Sequence, residues 1–165
     1  MAAPDWLNDA VFYQIFPERF ASGDPSLTPA GADPWDAEPT RDNFLGGDLR
    51  GVMDHLDHLS GLGVNALYFT PVFEARTNHR YDAVDYFAID HRLGSLGDFR
   101  ALLAACHDRG MRVVLDAVLN HCGEGHWAFR DVIEREAASP YVNWYFTEEF
   151  PVRAHPEPNY KTCSG

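Results

Sequence analysis

At 165 residues the chain has the length of one domain, enough to bury a core of its own. Its formal charge of −12, from 13 Lys and Arg against 25 Asp and Glu spread along the chain, speaks against a nucleic-acid or anionic-membrane partner and suits neutral sugars or cations. Aromatic residues make up 13% and are interleaved with polar ones, a composition compatible with stacking platforms for sugar rings, although ordinary core packing accounts for most aromatics in any domain.

The first residues, Met1 to Phe16, show no basic start followed by an apolar run, so no secretory signal is read there. Val11 to Phe16 is a β-branched and aromatic run closed by Pro17 and reads as a buried strand. Arg19 to Gly47 is rich in Gly, Pro, Asp, Ser and Thr and reads as a long ordered loop. Loops of that length in compact domains are usually functional or disordered. Val52, Leu56, Leu59 and Leu62 recur at helical spacing, with Gly61 and Gly63 ending the helix. A second strand, Ala66 to Phe69, stops at Pro71. Ser95 and Asp98 form a capping box for a helix with the stripe Phe99, Leu102, Leu103 and Cys106, and Gly110 stands at its C-cap. Val113 to Leu115 is the third strand, and a further helix is expected over Trp127 to Glu136, followed by an aromatic, proline-rich tail. Two successive helix, glycine, strand units after an opening strand imply βαβ crossovers and a parallel sheet.

No stretch approaches the ~18 consecutive apolar residues of a membrane span. Cys106, Cys122 and Cys163 form neither an even set nor a close metal pair, so no disulfide framework is expected and a reducing, cytoplasmic setting is the default.

The third strand, RVVL, runs into Asp116-Ala117-Val118-Leu119-Asn120-His121, the pattern DxxxNH. With FYQIFPERF, FLGGDLRG, GVNALYFTP and NHRYDAVDYFAID in order before it, it resembles the first signature region of the α-amylase family of glycoside hydrolases (family 13). These blocks cover essentially the whole chain, and NHRYDAVDYFAID, DAVLNHCG and NWYFTEEFPV look most like the neopullulanase and cyclomaltodextrinase branch. The resemblance implies an α/β fold that is a partial (β/α)8 TIM barrel, because a whole barrel takes about 250 residues. Residues 1–121 would form its first three βα units and 122–165 the start of the domain inserted after strand 3. The chain is thus expected to be an N-terminal piece of a catalytic domain, its partner the missing C-terminal half of the barrel, with a homo-oligomer open for the parent.

By the resemblance His121 bonds sugar hydroxyls and Tyr81 stacks on the same sugar. The plain alternatives are a loop histidine and a packed tyrosine. Asp116 would orient an arginine that precedes the nucleophile in the family and that this sequence lacks. Asn120 matches a position that ligates calcium in some members. A second calcium site in the branch would here use Ser22, Asp24, Leu27, Thr28, Gly46 and Asp48. Asp24, Gly46 and Asp48 keep its pattern, and Ser22, Leu27 and Thr28 replace amide or carboxylate oxygens. No cofactor is required. His121, Cys122, Glu124 and His126 carry zinc-type donors, but at a spacing that fits no familiar zinc template.

Retaining glycosidases need two carboxyl groups about 5 to 5.5 Å apart. In the family these follow strands four and five, beyond this sequence, and Asp82 and Asp85 do not match them. No catalytic residue is therefore assigned. The expected function is that of a piece of a retaining hydrolase acting on α-1,4, with α-1,6 as a further candidate, glucosidic bonds of malto-oligosaccharides, cyclodextrins or pullulan, inactive by itself. The alternative is a non-catalytic carbohydrate-binding or regulatory fragment. A nucleotide-binding α/β domain is disfavoured, since PERFASGDP follows the first strand where a glycine-rich phosphate loop would stand.

Overall fold

The computed structural model describes residues 3–147, 149–153 and 156–160; Cys163 lies outside them. A 3-10 turn, Asp5–Asp9, leads into β1 (Phe12–Ile15) and the short helix α1 (Pro17–Phe20). Helices α2 (Leu49–Asp54) and α3 (Leu56–Gly61) precede β2 (Ala66–Phe69). A ribbon of β3 (Phe73–Ala75) and β4 (Ala83–Ile89) follows, then α4 (Leu96–Asp108), β5 (Arg112–Leu115) and α5 (Trp127–Arg135).

The main sheet is parallel, in the order β1-β2-β5. Phe12, Ala66 and Arg112 share one row, and Ile15, Phe69 and Leu115 share the last. Parallel neighbours joined through helices are what the glycine-punctuated pattern implied. The alternation of side chains sends Ile15, Leu67 and Phe69 into a core with Leu49, Val52, Leu56, Leu59, Phe99, Leu102 and Cys106 of the helices. Tyr68 belongs to the other face. Among the described residues no helix is long and apolar enough to cross a membrane.

Four points differ from the pattern reading. The strand read as buried at Val11 to Phe16 lies at the edge of the described sheet, with Phe12, Tyr13 and Gln14 exposed and Ile15 buried. The helix expected across Val52 to Leu62 is two helices, because His55 (φ −108°, ψ 10°) breaks it. Its Nδ1 lies 2.8 Å from the Gly51 carbonyl, intruding on the i to i−4 ladder. Leu62 then falls at the C-cap and is 58% exposed, outside the core. The loop expected from Arg19 overlaps α1 at its start and contains a 3-10 turn, Pro25–Leu27. The antiparallel β3-β4 ribbon has no counterpart in the pattern reading; β3 is three residues long and its pairing with β4 shifts register twice.

The long loop is held by polar side chains instead of by a core. Arg19 Nη2 donates to the carbonyl of Asn43 at 2.6 Å and to that of Thr40 at 3.2 Å. Asp48 caps α2 through Gly51 N and also accepts Gly23 N and Asp24 N, each at 2.9 Å. The Ser95 and Asp98 capping box forms as read, and Gly110 takes φ 70° after α4. From residue 122 a smaller core gathers Phe129, Val132 and Val152 with Cys122, Tyr141, Tyr145 and Tyr160 around α5.

Two leucines three residues apart should behave differently. Leu59→Ala, at a fully buried position, is expected to lower unfolding stability by about 2–5 kcal/mol, and Leu62→Ala to stay within about 0.5 kcal/mol of the parent chain. Urea unfolding of both variants measures this; equal losses would contradict the described end of α3.

Candidate functional site

The three parallel strands end level, so the chain leaving each of them emerges at the same end of the sheet. Asp116 follows β5 directly, with its N–H bonded to the Phe69 carbonyl at 3.0 Å. Its Oδ2 accepts two phenol hydroxyls, Tyr68 at 2.8 Å and Tyr81 at 2.9 Å. Tyr68 comes from β2, on the face turned from the helices, while Tyr81 comes from the turn between β3 and β4. His121 Nε2 lies 2.9 Å from the Tyr81 carbonyl. Tyr81, Asp116 and His121 are thus brought together at the C-terminal end of the parallel strands.

Asp116 has the two tyrosines as side-chain partners. The His121 Nε2 is engaged by a backbone carbonyl, and among the described residues its buried Nδ1 has no hydrogen-bond partner. Asn120 is exposed.

Tyr81 is 37% exposed. Desolvation, and then the hydrogen bond to the Asp116 carboxylate, push its phenol up to about 12. The hydrogen bond to Asp116 also raises Tyr68, ahead of burial. His79 tilts against Tyr81 with ring centroids 5.8 Å apart, and its Nδ1 accepts the Tyr81 N–H at 3.1 Å. The loop after β5 is supported by Tyr86 of β4, whose hydroxyl lies 2.7 Å from the Val118 carbonyl and 2.8 Å from that of His121. Gly123 is needed where it stands, because a Cβ there would meet the Asp82 carbonyl oxygen at 2.2 Å. Its N–H donates to the Ala83 carbonyl.

Below the turn lies a buried ionic group that pattern reading did not single out. Arg80, with no exposed surface, reaches Asp90 Oδ2 through Nε at 3.0 Å and Glu18 Oε2 through Nη2 at 3.8 Å. Arg92 donates to Asp90 at 2.6 Å, and Glu18 Oε1 accepts Leu45 N and Gly46 N. Burial would raise the Asp90 carboxyl, but the Arg92 hydrogen bonds and the Arg80 charge outweigh it and hold it below its ordinary value. Arg80 also has φ 60°, a backbone state that costs a residue other than glycine about 1–3 kcal/mol and persists only where its surroundings hold it.

The zinc-type donors, whose spacing fitted no familiar template, face separate partners. His126 Nδ1 faces the Tyr145 hydroxyl at 3.1 Å, Glu124 faces Arg76 and Tyr160, and His121 faces Tyr81, so the zinc-type set is dispersed. Among the described residues the converging trio is Glu74, Asp90 and His91, and Asp90 there is already held by two guanidinium groups. In the loop after β1, Asp48 is buried and takes three backbone N–H donors, while Asp24 Oδ1 takes both the N–H and the hydroxyl of Ser26. The Thr28 side chain packs on Gly46, where a Cβ would meet its Oγ1 at 2.6 Å, and Leu27 brings no side-chain oxygen. This set does not fit a cation that takes about six to eight oxygen ligands.

A family model described as Alpha amylase, catalytic domain, matches residues 14–164. The chain belongs to the alpha-amylase family. A cyclomaltodextrinase of Geobacillus thermopakistaniensis is 52% identical over 161 residues, covering 97% of this chain and 27% of its own length. Neopullulanase 2 of Thermoactinomyces vulgaris is 52% identical over 161 residues, covering 96% and 28%. In solved structures the chain matches the cyclic α-maltosyl-(1→6)-maltose hydrolase of Arthrobacter globiformis in complex with cyclic α-maltosyl-(1→6)-maltose. That match has a TM-score of 0.96 and 70% identity over all of this chain and 37% of the other. The chain therefore spans between about a quarter and two fifths of the length of these members of the family.

The shared acceptor predicts a titration. Tyr81 should ionise near 12, and Asp116→Asn should lower that value without returning it to the ordinary 10, because desolvation remains. Ring-labelled tyrosine NMR across alkaline pH reads both values; an unchanged Tyr81 in the variant would remove the carboxylate from the explanation.

Proposed function

We propose that this chain supplies the first three βα units of a (β/α)8 catalytic barrel, residues 1–121, and the opening of the domain inserted after the third strand, residues 122–165, in a retaining α-glucan hydrolase. The observation that carries the reading is the convergence of Tyr81, His121 and Asp116 at the C-terminal end of the parallel strands, the end from which barrel enzymes act. Tyr81 offers a partly exposed ring to the apolar face of a glucose unit, and Asp116 holds its hydroxyl. His121 offers a directed donor once a sugar hydroxyl shares or replaces the Tyr81 carbonyl. Candidate substrates are malto-oligosaccharides, cyclodextrins and pullulan, and the 70% identity to the Arthrobacter enzyme adds cyclic α-maltosyl-(1→6)-maltose. A cytoplasmic setting suits the free thiols Cys106 and Cys122.

The chemistry of a retaining glycosidase takes a nucleophile and an acid that becomes a base. Asp116 is engaged by two phenols, Asp82 accepts the Thr77 hydroxyl, and Asp85 accepts the Phe87 N–H, so none stands as such a pair. The 165 residues alone are expected to release no reducing sugar from cyclodextrin, pullulan, starch or cyclic α-maltosyl-(1→6)-maltose, and clear turnover would overturn this assignment. Acarbose binding that is lost in Tyr81→Ala and His121→Ala, without turnover, would identify the chain as the sugar-holding part. Full-strength binding by both variants would sink the site.

The proposed protein works without calcium in the loop after β1. Calorimetric titration of calcium is expected to give no heat of binding, and a chelator to leave the melting temperature unchanged. Saturable heat abolished by Asp48→Asn would reverse this.

A further inference from the structure

Arg80 and Tyr81 are adjacent in sequence and opposite in environment, one with no exposed surface and the other 37% exposed. Arg80 itself lies in the left-handed region, at φ 60°. The inward residue is held by one side-chain hydrogen bond, Nη1 to the Asn78 carbonyl at 2.5 Å, by its backbone N–H on Thr77 Oγ1 at 3.2 Å, and by two buried charge contacts without hydrogen-bond geometry, Nε to Asp90 at 3.0 Å and Nη2 to Glu18 at 3.8 Å. Those partners come from different parts of the chain. Glu18 lies in α1 and also accepts Leu45 N and Gly46 N, while Asp90 follows β4 and is clamped by Arg92. The guanidinium therefore ties the turn that carries Tyr81 to the long loop and to the end of the ribbon. On the outward side, Tyr81 is held by its hydroxyl on Asp116, its N–H on His79 and its carbonyl near His121.

We propose that Arg80 is a positioning residue, whose buried anchorage between Glu18 and Asp90 fixes the turned backbone that presents the Tyr81 ring. Its consequence for glucan binding rests on the sugar-site reading above; the positioning itself does not. Lysine would keep the charge but lose the planar fork that meets two carboxylates at once, so Arg80→Lys is the discriminating change. A residue that only contributed stability would not act selectively on Tyr81.

Tyr68 supplies the internal control, since it donates to the same Asp116 oxygen but is carried on the central strand β2. Ring-13C-labelled tyrosine in the free chain, with Tyr81 assigned from Tyr81→Phe and Tyr68 from Tyr68→Phe, is expected to show the Tyr81 resonance shifted and its ring order reduced in Arg80→Lys. Tyr68 should stay in place. The milder Glu18→Gln, which leaves Arg80 and its Asp90 contact intact, is expected to give the same selective shift at smaller size and serves if Arg80→Lys does not fold. Both rings changing together, or neither changing, overturns the proposal.

A binding cycle with acarbose extends the test to function. Arg80→Lys is expected to weaken acarbose several-fold when Tyr81 is present and to have no further effect beside Tyr81→Ala. Equal losses in both backgrounds would overturn the action through Tyr81. Binding indifferent to Tyr81→Ala would overturn the sugar-site reading and leave the ring result to decide the positioning.

Discussion

Three parallel strands whose last hydrogen-bonded row is Ile15, Phe69 and Leu115 impose the geometry on which the rest of the structure depends. Because they run the same way and end level, α1, the chain into the ribbon, and Asp116 with its loop all start from one end of the sheet. Polar groups gathered at that end could not be gathered by the helices, which lie against one face of the sheet and pack through Leu49, Val52, Leu56, Leu59 and Leu102. Apolar packing and the polar cluster are thereby divided between a face and an end.

The end of the sheet is organised by two carboxylate systems of different character. Asp116 is partly exposed and receives neutral hydroxyl donors from two elements. Asp90 and Glu18 are fully buried and receive guanidinium groups. A buried ion pair is weak evidence for stability, since desolvation offsets much of its attraction. Here the buried ionic group lies beneath a turn in which Arg80, a residue other than glycine, takes φ 60°. Gly123 completes the arrangement by letting the loop after β5 approach the Asp82 carbonyl, so ribbon and loop support each other.

The loop after β1 shows a different solution to the same problem. It is long, has few buried apolar side chains, and is ordered by Asp48, Arg19 and Asn43 acting on backbone groups. Asp48 spends its oxygens on three N–H groups from two segments, doing through hydrogen bonds what a cation could do through coordination.

The sequence by itself determined the three strands, the capping box, α4, the parallel pairing and the family, because these rest on periodicity, on glycine and proline placement, and on motifs read residue by residue. The resemblance to the family named Tyr81, Asp116 and His121, though not that one oxygen of Asp116 serves two tyrosines or that His121 turns its Nε2 to a carbonyl. Tyr68 was legible in principle, as the residue of β2 that alternates away from Leu67 and Phe69. The break at His55 and the β3-β4 ribbon were not legible. The first depends on an imidazole reaching its own helix's carbonyl, and the second on a short, irregular pairing supported from outside by Gly123. The partners of Arg80 belong to tertiary structure alone, since Glu18 and Asp90 lie far from each other in sequence and only folding around a buried guanidinium makes them neighbours.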